Sequence, residues 1–167
     1  MNEIQIPFVP VKPIRGGRPM DKLYNQLAAD PAWVCQAKLN GKRAIWDGEY
    51  LWSRTGNRIT PFQAGKALAA LAIVPTCLDG ELVKDVFYAF DLPDHEGPLH
   101  ERWALLKTII PYDFEHFKIC PSGVSWEDVS EHKWEGVVFK RLNSKYEKAM
   151  SEGKTTPAWV KYRAEWL

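Results

Sequence analysis

Cysteine and histidine are scarce in this 167-residue chain, with three of the first and four of the second. Cys35, Cys77 and Cys120 are odd in number, sit in apolar surroundings and lack metal-type spacing. That argues against a disulfide scaffold or a thiolate zinc site and points to reduced, buried thiols. The scattered histidines offer no zinc or histidine-based catalytic cluster. Long apolar runs are missing too: the longest, residues 68–74, is far too short to cross a bilayer, and residues 1–19 have no apolar core of signal-peptide length. A soluble, cytoplasmic chain without membrane contact is expected. Excess charge of one sign is also lacking, since 22 basic and 21 acidic residues leave +1. Only clustering of the basic residues on one face would then speak for nucleic acid. A P-loop is excluded, because Gly65-Lys66 has Thr60 where the first glycine is required.

Aromatic residues, by contrast, are plentiful: eight Trp, seven Phe and six Tyr. Most belong to a core, and some to stacking against a planar ligand. The length suits one domain that buries roughly 70% of its unfolded surface. Residues 1–20, rich in Pro and Gly and carrying Lys12, Arg15 and Arg18, read as an extended basic arm, with residues 21–167 as the domain proper. Asp21 caps a short helix through Ala29. Residues 33–37 and 43–46 read as strands paired through a type I′ turn at Asn40-Gly41, which puts Lys38 at the mouth of a hairpin. A second hairpin turns at Asp47-Gly48. Residues 53–58 form a polar loop, either a solvated turn or a phosphate-binding loop of hydroxyls, backbone N–H groups and arginine forks.

Thr60-Pro61 begins a helix through Ala72 whose apolar series is Phe62, Leu68, Leu71 and Ala72. Residues 76–83 and 86–92 are strands, and period-two alternation puts Asp79 and Glu81 on one face. A helix over 101–110 stopped by Pro111, a short strand at 117–120 and a helix over 125–132 with Asp128 in a capping box follow. Residues 134–141 form a β-rich run. Residues 157–163 form a strand that projects Lys161 and Arg163 from one face, a solvated edge or a phosphate site.

Six stretches in this order resemble the motifs of the adenylation (nucleotidyltransferase) domain of ATP-dependent DNA ligases, especially the ligase modules of bacterial end-joining proteins. Lys38-Leu39-Asn40-Gly41-Lys42-Arg43 is similar to the nucleophile motif K-x-D-G-x-R, and Ser53-Arg54-Thr55-Gly56 to the S-R-x-G element. Leu78-Asp79-Gly80-Glu81-Leu82 and Tyr88-Ala89-Phe90-Asp91-Leu92 resemble the third motif and its aromatic companion. The run from Glu135 to Leu142, with Ser144 and Tyr146, resembles the fourth motif and its tail, and Trp159-Val160-Lys161-Tyr162-Arg163 the closing W-x-K-x-K.

The resemblance implies an α+β fold: a two-sheet, ATP-grasp-like nucleotidyltransferase with antiparallel sheets flanked by helices and ATP in the cleft between them. It implies a polynucleotide ligase that seals 5′-phosphate/3′-hydroxyl nicks in double-stranded DNA, or in a nick containing RNA. Lys38 would be the nucleophile that carries AMP. An unperturbed lysine is almost wholly protonated at neutral pH, and neighbouring cations favour the neutral amine. ATP would meet Gln36, Lys38, Arg43, Glu81, Phe90, Lys161 and Arg163. Glu135 would hold Mg²⁺ or Mn²⁺, and nucleic acid would meet Ser53, Arg54, Lys140 and Arg141. The alternatives implied are a non-turnover nick-binding or nucleotide-binding subunit and an RNA ligase-type nucleotidyltransferase.

Asn40 departs from the family aspartate, and Arg163 from the final lysine. With four residues after Arg163, no oligonucleotide-binding-fold (OB-fold) domain is expected in this chain, so a separate clamp or OB-fold partner would complete the grip on DNA.

Overall fold

Alternation of apolar and polar residues along the strands builds two sheets, each covered by helices on one face and turned toward its partner on the other. The computed structural model describes residues 8–110, 114–149 and 153–164. Pro111 and the first seven residues of the expected arm lie outside the described residues.

The first sheet contains β2 (Lys12–Arg15), β3 (Trp33–Lys38), β9 (Gly136–Arg141) and β11 (Thr155–Arg163), in the order β2-β11-β9-β3. The second contains β4 (Lys42–Trp46), β5 (Leu51–Ser53), β6 (Leu78–Val83), β7 (Val86–Asp91) and β8 (Phe117–Ile119), in the order β5-β4-β6-β7-β8. A small ribbon pairs β1 (Val9–Pro10) with β10 (Lys148–Ala149). Antiparallel pairing was expected throughout, but β2 runs parallel to β11 and β8 parallel to β7. Within the stretch expected as an extended basic arm, Val9–Pro10 and Lys12–Arg15 are extended and pair as β1 and β2.

The helices α1 (Lys22–Ala29) and α5 (Trp126–His132) cover the outer face of the first sheet. The Asp21 carboxylate accepts from the Tyr24 N–H at 2.8 Å, and Ser125 and Asp128 form the expected capping box. Tyr24 and Leu27 then bury one helical face with Val129, Val137, Phe139, Val160 and Tyr162. On the second sheet, Ala44, Trp46, Leu78, Leu82, Phe87 and Ala89 pack on their outer side under α3 (Lys66–Leu71) and α4 (Leu99–Ile109). Among the described residues no helix is long and apolar enough to cross a membrane.

Two local expectations fail for tertiary reasons. β3 does not pair with β4: it pairs with β9, and β4 lies in the other sheet beside β5 and β6. Asn40-Gly41 is therefore a crossover between sheets rather than a hairpin turn, and neither residue has positive φ. A side chain at Gly41 would collide with the Leu82 carbonyl, so glycine serves close approach to β6 here. The helix expected over 60–72 is divided at Gly65 (φ 58°) into α2 (Pro61–Ala64) and α3. The start at Thr60-Pro61 is present, with Thr60 and Gln63 forming a capping box, but the break turns Phe62 away from the face that Ala67 and Leu71 bury, leaving it 98% exposed.

Candidate nucleotide pocket

The inward faces of the two sheets enclose a cavity of about 450 Å³, within the range of small-molecule sites. The first sheet contributes Gln36 and Lys38 from β3, Val138 and Lys140 from β9, and Trp159 and Lys161 from β11. The second contributes Arg43 from β4, Glu81 from β6 and Phe90 from β7. Apart from Val138, each is the polar or aromatic alternate of a strand whose other residues enter a helix-covered core. Ser53 at the end of β5, and Arg54 and Thr55 on the loop that follows, stand at the same cavity.

Lys38 lies at the last position of β3, its Nζ 2.8 Å from Glu135 Oε2. Glu135 directly precedes β9 and also receives Arg163 Nε at 3.4 Å. Gly136 pairs with both Lys38 and Arg163, which brings the three charged groups together. Its φ of 157° and the Tyr162 carbonyl, into which any Cβ would run, make glycine obligatory. Gly136→Ala is expected to lose about 2–3 kcal/mol, an overpacking cost, measured as a shift in the urea midpoint at constant slope. A shift smaller than about 0.5 kcal/mol would mean that these strands are not so tightly paired.

Burial and the positive charges of Lys38, Arg15 and Arg163 hold the Lys161 amine below its ordinary pKa. Burial pushes the Glu81 carboxyl up to about 7, against the pull of Lys38 and Arg43. Lys42 and Arg54 bring further positive charge to the cavity. The open part of the pocket thus suits a polyanion.

At the inner part, Phe90 and Trp159 meet edge to face, with ring centroids 6.2 Å apart. Lys140, expected on a nucleic-acid surface, lies here instead. Its Nζ is 4.0 Å from the Phe90 centroid and 4.3 Å from that of Trp159, with the residue 2% exposed. The reason is alternation: Lys140 shares the inward face of β9 with Val138, whereas Arg141 is exposed at the strand end and does not line the cavity. Burial lowers the Lys140 pKa to about 8, although Asp91, Cys120 and Asp79 raise it.

Arg43, expected to fix the nucleotide, lines the pocket but is committed to Asp79 through two bonds, Nε to Oδ1 at 3.1 Å and Nη2 to Oδ2 at 2.6 Å. It also donates to the Val11 carbonyl. Asn40 is exposed and absent from the lining. The expected residues Gln36, Lys38, Arg43, Ser53, Arg54, Glu81, Phe90, Glu135 and Lys161 come together, and Arg163 joins through Glu135. Sequence reasoning missed Lys12 and Pro13, which line the pocket because β2 adds to β11, and gave no role to Trp159, though the closing motif contains it.

No family model matches the chain. It is 28% identical over 152 residues to a DNA ligase of Haemophilus influenzae, an alignment that takes in 71% of this chain and 55% of that protein. The chain therefore spans little more than half the length of this curated relative. Among solved structures it is similar to a mycobacterial DNA ligase D complexed with ATP, with TM-score 0.72 and 21% identity over 93% of this chain and 60% of that one. It is also similar to a Lig E DNA ligase described as binding DNA with a minimal scaffold, with TM-score 0.61 and 17% identity over 92% and 69%. The likeness to these solved structures shows that the chain has the two-sheet nucleotidyltransferase fold that these DNA ligases share.

Proposed function

We propose that this chain joins a 5′-phosphate to a 3′-hydroxyl at nicks in duplex DNA, using ATP and carrying AMP on Lys38. The observation that carries the reading is the Lys38 amine beside Glu135, inside a pocket with an aromatic inner wall and cations toward solvent. The Lys38 Nζ lone pair attacks the α-phosphorus, an N–P bond forms, and the P–O bond to pyrophosphate breaks. The amine must first release its proton, and Glu135 Oε2 at 2.8 Å is an acceptor within reach. AMP then passes to the 5′-phosphate of the nick, and the 3′-hydroxyl displaces it to leave a phosphodiester. Positioning and charge stabilisation carry such transfers.

In this reading Phe90 stacks on adenine, and Gln36 and the buried Lys140 face its polar edge. Glu81 accepts from the ribose hydroxyls, Lys161 and Arg163 meet the phosphates, and Ser53 with Arg54 holds the 5′-phosphate. Glu135, which faces the cavity, would hold Mg²⁺ or Mn²⁺. Mg²⁺ usually takes one or two protein carboxylates and completes its shell with phosphate oxygens and water. Among the described residues no group of three or more His, Cys, Asp and Glu side chains forms an all-protein metal cage. When bound, the ion would neutralise phosphate charge. Because one domain neutralises few DNA phosphates, binding should be salt-sensitive, and a separate clamp or OB-fold partner would strengthen it.

The test is intact-protein mass after incubation with Mg²⁺ and ATP, followed by addition of a nicked duplex. Gain of one AMP, then its loss with joined product, supports the reading. Absence of adduct together with no joining of a pre-adenylated nick would leave a nucleotide-binding or nick-binding subunit.

The raised Glu81 pKa of about 7 makes a further prediction. Only the ionised carboxylate accepts from two hydroxyls, so adenosine affinity should rise as pH increases through 7. Between pH 6 and 8 the gain should be roughly tenfold, following the ionised fraction. Adenosine is chosen because it has no phosphate titrating in that window. Glu81→Gln should flatten the profile, and a pH-independent wild type would remove Glu81 from the ribose.

A further inference from the structure

The segment after β9 crosses from the first sheet to the second. The Ser144 carbonyl accepts from Leu99 N at 2.9 Å and from Arg102 Nη1 at 2.6 Å, and the Leu142 carbonyl from His100 N at 3.2 Å, all at the start of α4. Beyond this anchor Tyr146 turns inward. Its hydroxyl donates to Asp79 Oδ2 of β6 at 2.6 Å. Its ring meets Trp159 of β11 edge-on at 6.1 Å and Phe8 at 6.0 Å. One side chain thus grips a carboxylate of the second sheet and an aromatic wall of the first.

Asp79 is fully buried, and its Oδ2 is shared between Tyr146 and Arg43. The Arg43 guanidinium in turn stands 5.4 Å from the Phe90 centroid and 5.3 Å from the Trp159 centroid. Tyr146 itself does not line the cavity. Whatever it does for a ligand it does through Asp79, Arg43 and Trp159.

We propose that Tyr146 is a positioning residue that clasps the two sheets and sets the spacing of Phe90 and Trp159 for an adenine base. The inference rests on the nucleotide-binding part of the reading above. It acts on nucleotide binding and leaves the Lys38 amine, at the Glu135 end of the pocket, to react at its own rate. A residue that merely held the fold would change stability without this selectivity.

The test is Tyr146→Phe, which keeps the ring and removes only the hydroxyl. Binding of an α,β-methylene ATP analogue, which cannot transfer AMP, is measured by calorimetry. The rate of lysyl-AMP formation is measured against ATP concentration. The analogue Kd and the half-saturating ATP should both rise about tenfold, as expected for a lost hydrogen bond to a charged group. The maximal adenylation rate should stay within about twofold. In an Asp79→Asn background the same change should add nothing, since neighbours acting through one group are not additive. Unchanged analogue affinity, or a fall in maximal rate at constant half-saturation, overturns the proposal. If the wild type binds the analogue yet forms no adduct, the ligase reading fails while the binding arm still decides the role of Tyr146. If the Asp79→Asn background does not fold, the single Tyr146→Phe variant decides alone.

Discussion

Lys38→Ala is expected to stay folded and to take up no AMP. The wild type, incubated with ATP and Mg²⁺, should gain the mass of one adenylate, and the variant none. The loss should be total, because in the proposed mechanism the amine that carries AMP is that of Lys38, held at Glu135 by the pairing of Gly136. Stability should hardly move. The Lys38 side chain is 23% exposed, and Glu135 keeps Arg163 when Lys38 is gone, so the cost should lie within about 1 kcal/mol, as for partly solvated pairs. The combination matters: an unfolded variant would also fail to take up AMP, but its urea midpoint would fall. A full adduct on the variant would move the nucleophile to another lysine, and peptide mapping would locate it.

Arg102→Leu should be among the most destabilising single substitutions in the chain. Arg102 and Asp91 are both 0% exposed, with Nε to Oδ1 at 2.6 Å and Nη2 to Oδ2 at 3.1 Å. The remaining Nη1 donates to Gly97 O at 2.9 Å and Ser144 O at 2.6 Å. Removing the guanidinium leaves a carboxylate buried without its cation, a loss of about 3–5 kcal/mol, and deprives two carbonyls of a donor. That is a large part of the roughly 5–15 kcal/mol available to a domain. Denaturant unfolding should show a much lower midpoint, and adding Asp91→Leu should recover part of the loss. A change below about 1 kcal/mol would mean that water reaches the pair. Because Arg102 also anchors the strap that carries Tyr146, any folded Arg102→Leu protein should bind ATP weakly.

Much of the local structure was legible from residues a few positions apart. Asp21 and Ser125 cap helices because a side-chain oxygen reaches an N–H within the first turn. Asp47-Gly48 closes a hairpin because the two strands it joins are consecutive. Asp79 and Glu81, and likewise Lys161 and Arg163, share a face because a strand alternates. The misplacements have one cause. Asn40-Gly41 looked like a hairpin turn because the strands on either side are neighbours in sequence, yet the partner of β3 is β9, about a hundred residues on. Lys140 looked like a surface cation because lysine is seldom buried. Only the closing of the second sheet, with Phe90, over that face of β9 buries it.

By itself, then, the sequence determined most of the strands and helices, the caps at Asp21 and Ser125, the side of each strand that carries charge, and an order of motifs that resembles that of an adenylation domain. Each of these depends on chemistry within a few residues or on side-chain period. The tertiary structure alone decided which strands pair, that Lys38 and Arg43 stand on opposite sheets across a cleft, and that Lys140 turns inward. It also decided that Tyr146 meets Asp79 and Trp159. Those facts depend on pairings between distant segments, where burial of two apolar faces against separate helix layers outweighs the preference of a short turn.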